Sequence, residues 1–238
     1  MLDNIRIVLI NTSHPGNIGS VARAMKTMGL QELYLVAPQQ FPHQKAYELA
    51  SNAGDVLDAA TVVASLDEAI DDCTLVVGTS ARSRVIPWPV LTPRELTEKI
   101  KRESPAQSIA ILFGCEQTGL TNDELQRCNY HIQIPANPAY SSLNLAAAVQ
   151  IVAYELYVAH REPMLQEEPL EYRFANANEM EKFFDHLQKV LVEVEFLKPS
   201  MPRKLMTRLR RLFLRARPDV NEVNILRGML TAVEEKIS

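Results

Sequence analysis

The chain has 238 residues, of which 47% are hydrophobic and 23% are charged, and its formal net charge is −4. This size suffices for one well-filled core, or for a medium domain with a smaller one beside it. No apolar run approaches the ~20 residues of a membrane-spanning helix, which argues against a membrane protein. The three cysteines have neither CxxC pairing nor metal-ligand spacing, and the first residues do not resemble a signal peptide. We therefore expect a cytoplasmic protein.

Short apolar runs alternate with helical segments through the first two-thirds of the chain. Strands are predicted at 5–10, 33–36, 74–77, 109–113 and 131–134, and helices at 17–28, 44–52, 93–103, 121–127 and 142–160. The strands are continuous apolar runs, which is typical of parallel strands that are buried on both faces. This pattern predicts an α/β domain over residues 1–160, built on a parallel sheet with helices on both faces.

The last third of the chain follows a different pattern. Residues 161–178 are polar, contain two prolines and lack periodicity, which predicts a linker. Helices are then predicted at 179–197, 202–217 and 219–236, so that residues 179–238 form a small all-α extension.

A basic stripe stands out in that extension. Between Glu195 and Asp219 the chain has no acidic residue and eight basic ones: Lys198, Arg203, Lys204, Arg208, Arg210, Arg211, Arg215 and Arg217. Such a stripe either binds phosphates, even on an acidic chain, or forms a solvated helix face. The sequence alone does not decide between phosphate binding and a solvated helix face.

Several common kinds of site are missing from the sequence. No G-x-G-x-x-G follows the first predicted strand, and neither a Walker A sequence nor a G-x-S-x-G elbow occurs. The five histidines never fall at metal-ligand spacing, so we predict no metal site.

Two segments place polar side chains beside glycines at strand or helix ends. TSHPGNIGSVARAM, residues 12–25, carries Arg23 and also Asn17, which stands where a helix N-cap is expected. LFGCEQTGL, residues 112–120, displays Glu116 directly after a buried strand. A carboxylate at the carboxyl end of a strand is typical of α/β active sites, although each segment alone is also compatible with an ordinary capped turn.

Two further segments offer hydroxyl groups and positive charge. IPANPAYSSLNLAAA, which begins at residue 134, places serines and an asparagine before an alanine-rich helix, whose first N–H groups are open to ligands. GTSARSR, residues 78–84, follows a predicted strand and adds two arginines suited to a phosphodiester. A serine cap and a solvated loop are the plain alternatives.

In chain order, NIGSVARAM, FGCEQTGL and IPANPAYSSLNLAAAV resemble the three motifs of the SPOUT superfamily of RNA 2′-O-ribose methyltransferases. GTSARSR and the carboxyl-terminal LRRLFLRARP are similar to bacterial members that act on tRNA, so the resemblance covers nearly the whole chain. It implies transfer of a methyl group from S-adenosylmethionine to the ribose of cytidine or uridine 32 in the tRNA anticodon loop. Ribosomal RNA is the alternative substrate. A catalytically inactive RNA-binding protein with the same fold and an α/β protein-interaction domain are weaker alternatives.

The resemblance also implies an architecture. Members of this superfamily carry a deep trefoil knot at the carboxyl end of the α/β domain and complete the active site across a homodimer. The apolar faces of the helices predicted at 17–28 and 142–160 are the candidate dimer interface.

The resemblance assigns roles to individual residues. The implied catalytic set is Arg23, Asn17, Glu116, Ser142 and Asn144. The implied cofactor contacts are Thr79, Ser80, Ala81, Gly114, Ile134, Ser141, Ser142 and Leu143. The expected RNA contacts are Arg82, Arg84, Arg208, Arg211 and Arg215. Because an arginine with a pKa above ~12 is a poor base, we expect Arg23 to act as a hydrogen-bond donor to phosphate and developing alkoxide.

Overall fold

The computed structural model describes residues 2–80, 88–102, 107–161, 172–198 and 204–237. Its strands are β1 Ile5–Ile10, β2 Glu32–Val36, β3 Thr61–Val63, β4 Leu75–Thr79, β5 Val90–Leu91, β6 Ile109–Phe113 and β7 Tyr130–Ile132. They form one sheet in the order β3-β2-β1-β6-β4-β7-β5, and each pairing is parallel. The predicted parallel sheet is therefore confirmed. β3 and β5 were not predicted, because two or three residues leave too short a pattern to recognise.

Eight of the ten α-helices in the described residues lie close to predicted segments, whereas α3 and α4, of five residues each, were not predicted. They are α1 Pro15–Thr27, α2 Gln44–Ala50, α3 Gly54–Asp58, α4 Leu66–Ile70, α5 Pro93–Ile100, α6 Asn122–Leu125, α7 Leu145–Arg161, α8 Ala177–Glu193, α9 Leu205–Ala216 and α10 Val220–Ile237. The N-cap prediction for α1 was wrong. His14 caps this helix, its Nδ1 accepting from the Gly16 N–H at 3.1 Å, because Pro15 is preorganised for the first helical position. Asn17 thus lies inside α1, with its side chain free for other contacts.

Both faces of the sheet are covered, as predicted. Side chains alternate along β1, so that Ile7 and Leu9 pack under α1, α5 and α7, whereas Val8 and Ile10 pack against α4 and α6. All six residues of β1 are buried. Burial on both faces explains why five of its six residues are apolar, and the sixth, Arg6, is neutralised by a two-pronged pair with Asp72.

Parallel pairing brings three chain segments to one edge of the sheet. Val77 of β4 pairs with Ile111 of β6, and Thr79 pairs with Ile132 of β7. The residues that follow β4, β6 and β7 therefore leave the sheet side by side, at its carboxyl edge. The trefoil knot implied by the resemblance remains a prediction.

The carboxyl-terminal helices share a third hydrophobic cluster. It comprises Trp88, Ala175, Met180, Phe183, Phe184, Leu214 and Val223. Phe183 packs edge-on against Phe213 with ring centroids 4.9 Å apart, which ties α8 to α9. Trp88, which precedes β5, joins the cluster and donates from Nε1 to the Cys128 carbonyl at 2.8 Å. The extension is therefore packed onto the α/β domain.

Polar contacts fix where the extension docks. Asn129 accepts from the Val76 N–H at 2.8 Å and donates to the Leu214 carbonyl at 3.1 Å. Arg217 is buried, donates to Gln107 Oε1 at 3.3 Å and covers the Phe174 ring at 4.2 Å. Asn129 and Gln107 directly precede β7 and β6, so the extension docks at the amino edge of the sheet.

Candidate active site

A cavity of about 280 Å³ lies at the carboxyl edge of the sheet, beyond β4, β6 and β7. Its lining includes seven of the eight residues expected to hold the cofactor: Thr79, Ser80, Gly114, Ile134, Ser141, Ser142 and Leu143. The eighth, Ala81, lies outside the described residues. The lining also contains Cys115, Gln117 and Thr118, which sequence reasoning did not select although they stand inside a recognised motif. Backbone groups, hydroxyls and aliphatic side chains thus meet in one cleft.

The loop after β6 is folded back on itself tightly. The Gly119 N–H donates to the Cys115 carbonyl at 2.8 Å, and Gly119 has a φ of +68°, a conformation that favours glycine. Gly114 lies against the returning chain, and a Cβ placed there would be 2.2 Å from the carbonyl carbon of Gly119 and from the Leu120 nitrogen. Both glycines are therefore required by the shape of the loop that displays Glu116.

The carboxylate of Glu116 is held by four hydrogen bonds. The backbone N–H and the hydroxyl of Ser13 both donate to Oε2 at 3.0 Å. The His14 N–H donates to Oε1 at 3.3 Å, and Asn17 Nδ2 donates to Oε1 at 2.8 Å. Ser13 and His14 were not selected from the sequence, because backbone donors leave no signature in residue type. The first and second motifs are thereby joined through one carboxylate.

These contacts determine the charge state of Glu116. Partial burial opposes ionisation, but donation from the Ser13 backbone, the Asn17 side chain and the backbone N–H groups of Glu116 and His14 outweighs it and lowers the pKa to about 2. Glu116 is therefore ionised at neutral pH and its lone pairs are occupied. Such a group orders its neighbours and is a poor proton acceptor.

We expect the stabilisation provided by Glu116 to depend on pH. Because the pKa is lowered from 4.5 to about 2 on folding, the stabilisation is complete above pH 4.5 and is lost as the pH falls toward 2. The difference in free energy of unfolding between the wild type and Glu116→Gln, from urea titrations at a series of pH values, should therefore shrink below pH 4.5. Glu235→Gln, at an exposed position of α10, is the matched control. A difference that is constant from neutral pH to pH 3 would contradict this account.

A series of hydrogen bonds continues from Glu116 through Asn17 to Asn144, in the segment that begins at residue 134. An ionised carboxylate can only accept, so Asn17 must turn its amide nitrogen toward Glu116 and its oxygen away. That oxygen accepts from Asn144 Nδ2 at 3.2 Å, and Asn144 Oδ1 in turn accepts from the Ala146 N–H at 2.9 Å, at the start of α7. Asn144, and not a serine, therefore caps α7. The charge on Glu116 thus sets the orientation of both amides.

Arg23 lies apart from this arrangement. Its side chain is exposed, and it lines a separate surface depression with Lys26, Thr27 and residues 50–53. It stands six positions after Asn17 on α1, which corresponds to about 9 Å along the helix axis. Within one chain, the structure joins Asn17, Glu116 and Asn144 but does not bring Arg23 to the cavity.

The basic stripe divides between two faces of α9. Arg210 forms a two-pronged ion pair with Glu181 and covers the Phe184 ring at 4.5 Å, and Arg217 is buried in the docking interface. Arg208, Arg211 and Arg215, at spacings of three and four, share the opposite face. The stripe is therefore partly structural, and only the outer three match the expected RNA contacts. Arg82 and Arg84 lie outside the described residues.

The comparisons with known proteins agree with this geometry. Residues 4–154 match the model of the SpoU rRNA methylase family. The chain belongs to the SpoU methylase family. Residues 178–238 match a second model, the carboxyl-terminal domain of the tRNA methyltransferase TrmJ. Within the described residues, no group of three or more histidine, cysteine or acidic side chains could hold a metal ion, and no helix is long and apolar enough to cross a membrane.

Individual relatives extend the match over the whole chain. The tRNA (cytidine/uridine-2′-O-)-methyltransferase TrmJ of Pectobacterium atrosepticum is 54% identical over 99% of this chain and 98% of its own length. The crystal structure of TrmJ from Z. mobilis ZM4 is 34% identical, covers 96% of this chain and 98% of that one, and superposes with a TM-score of 0.84. The more distant SpoU methyltransferase AviRb from Streptomyces viridochromogenes, solved with AdoMet, is 23% identical, covers 67% of this chain and 59% of that one, and has a TM-score of 0.52, which shows the shared fold.

Proposed function

We propose that this protein transfers a methyl group from S-adenosylmethionine to a ribose 2′-hydroxyl of tRNA, at a cytidine or uridine of the anticodon loop. The observation that carries the proposal is the pairing of a SpoU methylase domain with a carboxyl-terminal domain that matches TrmJ. The first domain supports methyl transfer, and the second favours tRNA over ribosomal RNA. Position 32 rests on the resemblance of the motifs.

The cavity residues fit this cofactor. Ile132, Ile134 and Leu145 offer aliphatic surface for an adenine ring. Ser142 and the backbone of the loop after β6 offer polar groups, and the ionised Glu116 adds negative charge to the cavity wall, which suits a cationic cofactor. When bound, the cofactor supplies an activated methyl group. The chain's own residues must then hold a ribose in line with it and help to remove a proton.

The reaction requires a balanced set of changes. The bound cofactor would supply the methyl group to the ribose oxygen and would leave as a neutral thioether, and the hydroxyl proton would be released to water. Asn17 and Asn144, held in fixed orientation by Glu116, position the ribose. Arg23 binds the adjacent phosphate and stabilises developing alkoxide.

Because Arg23 stands away from the cavity of its own chain, we assign it to the site of a second copy in a homodimer. The helices α1 and α7 pack together, and the apolar faces that were the candidate interface lie in the core of this chain, so a second copy must meet their outer faces instead. Ala147 is exposed on α7, and Tyr154, seven residues later on the same face, is 53% exposed. Pairing through this face would carry the arginine of one subunit to the cavity of the other.

Three further features belong to this proposal. The domain boundaries are 1–160 for the catalytic domain, 161–178 for the linker and 179–238 for the helical extension. A trefoil knot at the carboxyl end of the catalytic domain accords with family membership. A cytoplasmic location fits three free cysteines, two of them buried.

The docking of the extension separates its basic face from the cavity. Arg217, at the end of α9, donates to the carbonyl of Thr74 at 3.5 Å, just before β4, whereas Thr79 at the far end of β4 lines the cavity. A five-residue strand spans roughly 16 Å. The outer arginines of α9 would therefore grip tRNA backbone away from the methylated ribose.

We expect the triple variant Arg208→Gln, Arg211→Gln, Arg215→Gln to bind tRNA more weakly and with less salt dependence. Each lost phosphate contact lowers the slope of log affinity against log salt by about one, so the slope should fall by up to about three. Filter binding at several salt concentrations measures both effects, and calorimetry should show unchanged cofactor affinity. The triple variant Lys182→Gln, Arg227→Gln, Lys236→Gln, at exposed positions of α8 and α10, removes the same charge as a control. Equal slopes for the two variants would contradict the proposal that the outer arginines of α9 contact tRNA phosphates.

A further inference from the structure

Tyr140 is presented to solvent on an ordered turn. Its side chain is 80% exposed, the largest value among the exposed large hydrophobic residues described. The turn is held by Asn137, whose carbonyl accepts from the Tyr140 N–H at 2.9 Å and whose Oδ1 accepts from the Ala139 N–H at 3.0 Å. Within the described part of the chain, the Tyr140 ring stacks on no other aromatic ring or cation. A large apolar ring is thus exposed to solvent without an aromatic or cationic partner among the described residues.

The position of this ring relates it to the active site. The next three residues, Ser141, Ser142 and Leu143, line the cavity, and Asn144 ends the series of hydrogen bonds from Glu116. Neighbouring Cα atoms are about 3.8 Å apart, so Tyr140 lies directly beside the residues that line the cavity. In the proposed function the ribose 2′-hydroxyl must reach a methyl group held in this cavity, so the attached nucleobase must lie near the residues that border it.

The chemistry of the substrate favours a stacking contact there. Cytosine presents an amino donor where uracil presents a carbonyl acceptor, so hydrogen-bond readout of this edge would discriminate between them. The proposed function requires that both be accepted. An aromatic face binds either base, because every base has a π face.

We infer that Tyr140 stacks on the nucleobase of the methylated nucleotide and holds it while the ribose enters the cavity. The inference rests on the proposed function and deepens it, because it assigns the tolerance for two pyrimidines to a side chain. Stacking depends on the ring and not on the hydroxyl. Tyr140→Phe should therefore behave as the wild type, whereas Tyr140→Ala should raise KM for tRNA by about 5- to 160-fold, the range given by loss of one base–aromatic stack.

The experiment compares three enzymes on two tRNAs. Wild type, Tyr140→Phe and Tyr140→Ala are assayed on an intact transcript and on one in which the target nucleotide is abasic but keeps its 2′-hydroxyl. Calorimetry with S-adenosylmethionine and sedimentation are run beside the kinetics. Tyr172→Ala, at an exposed tyrosine distant in sequence, is the matched control.

The expected result is that the wild type and Tyr140→Phe lose affinity on the abasic tRNA, while Tyr140→Ala is equally weak on both tRNAs. Cofactor affinity and subunit association should be unchanged. The inference is overturned if Tyr140→Ala matches the wild type on the intact transcript, or if Tyr140→Phe is as impaired as Tyr140→Ala. It is also overturned if the alanine variant still differs from the wild type on the abasic transcript. Dissociation of the subunits in Tyr140→Ala would overturn it as well. A wild type that binds cofactor but methylates neither tRNA would overturn the proposed function itself.

Discussion

We expect Arg23→Lys to lose about 10²- to 10³-fold in kcat/KM for tRNA methylation and to keep its affinity for S-adenosylmethionine. Lysine preserves the positive charge but lacks the planar fork that binds a phosphate through two donors. Arg23 is exposed and does not line the cavity of its own chain, so cofactor binding has no reason to change. Arg227→Lys, at an exposed position of α10, is the matched control and should keep full turnover.

Mixed dimers test the proposal that Arg23 acts in the cavity of a second copy of the chain. Leu143→Trp is the partner variant, because Leu143 lines the cavity on an exposed loop and tryptophan would fill the space. Arg23→Ala and Leu143→Trp should each be inactive alone. After unfolding and joint refolding in equal amounts, roughly a quarter of wild-type turnover should return, since half of the dimers are mixed and one of their two sites carries neither lesion. No recovery in dimers shown to be mixed would mean that Arg23 acts within its own chain.

Gly114→Ala should abolish cofactor binding. The added Cβ would lie 2.2 Å from two backbone atoms of the returning loop, and backbone cannot move aside as a side-chain tip can. The loop must open, which displaces Glu116 and reshapes one wall of the cavity. Overpacking of this kind costs about 1–3 kcal/mol of stability, so the variant should fold with a lowered Tm and show no heat of S-adenosylmethionine binding.

Gly228→Ala is the matched control for that experiment. Gly228 lies within α10 with nothing within 4 Å of the added Cβ, so alanine should leave binding intact and raise stability by up to about 1 kcal/mol. Wild-type cofactor affinity in Gly114→Ala, measured by calorimetry, would show that the loop is not packed as described.

The parallel sheet could be predicted from the sequence because strands that are buried on both faces consist largely of apolar residues. Strands such as β1 and β6 are buried on both faces, and each appears in the sequence as an apolar run with the observed bounds, interrupted in β1 only by Arg6, which pairs with Asp72. The polar loops after β6 and β7 could also be predicted, because glycines and prolines mark their turns. What these loops contribute to the cavity follows from parallel pairing, which sets the ends of β4, β6 and β7 side by side.

Other features depend on contacts that residue types do not reveal. Glu116 receives three of its hydrogen bonds from Ser13 and His14, two of them from the backbone, more than 100 positions away in the chain. The basic stripe looked uniform, but Arg210 is used in packing against α8 and Arg217 in docking at the sheet, which leaves only one face for a ligand. Helical spacing divides α9 into two faces, and only the tertiary packing shows which face points inward.

The most direct test incubates the protein with S-adenosylmethionine and with unmodified tRNA and ribosomal RNA, and then maps 2′-O-methyl groups by nucleotide-resolved mass spectrometry. The account predicts a methyl group on the ribose of cytidine or uridine 32 in tRNA and none on ribosomal RNA. Methylation of ribosomal RNA alone, by protein that binds the cofactor, would keep the SpoU methylase domain and contradict the assignment of tRNA.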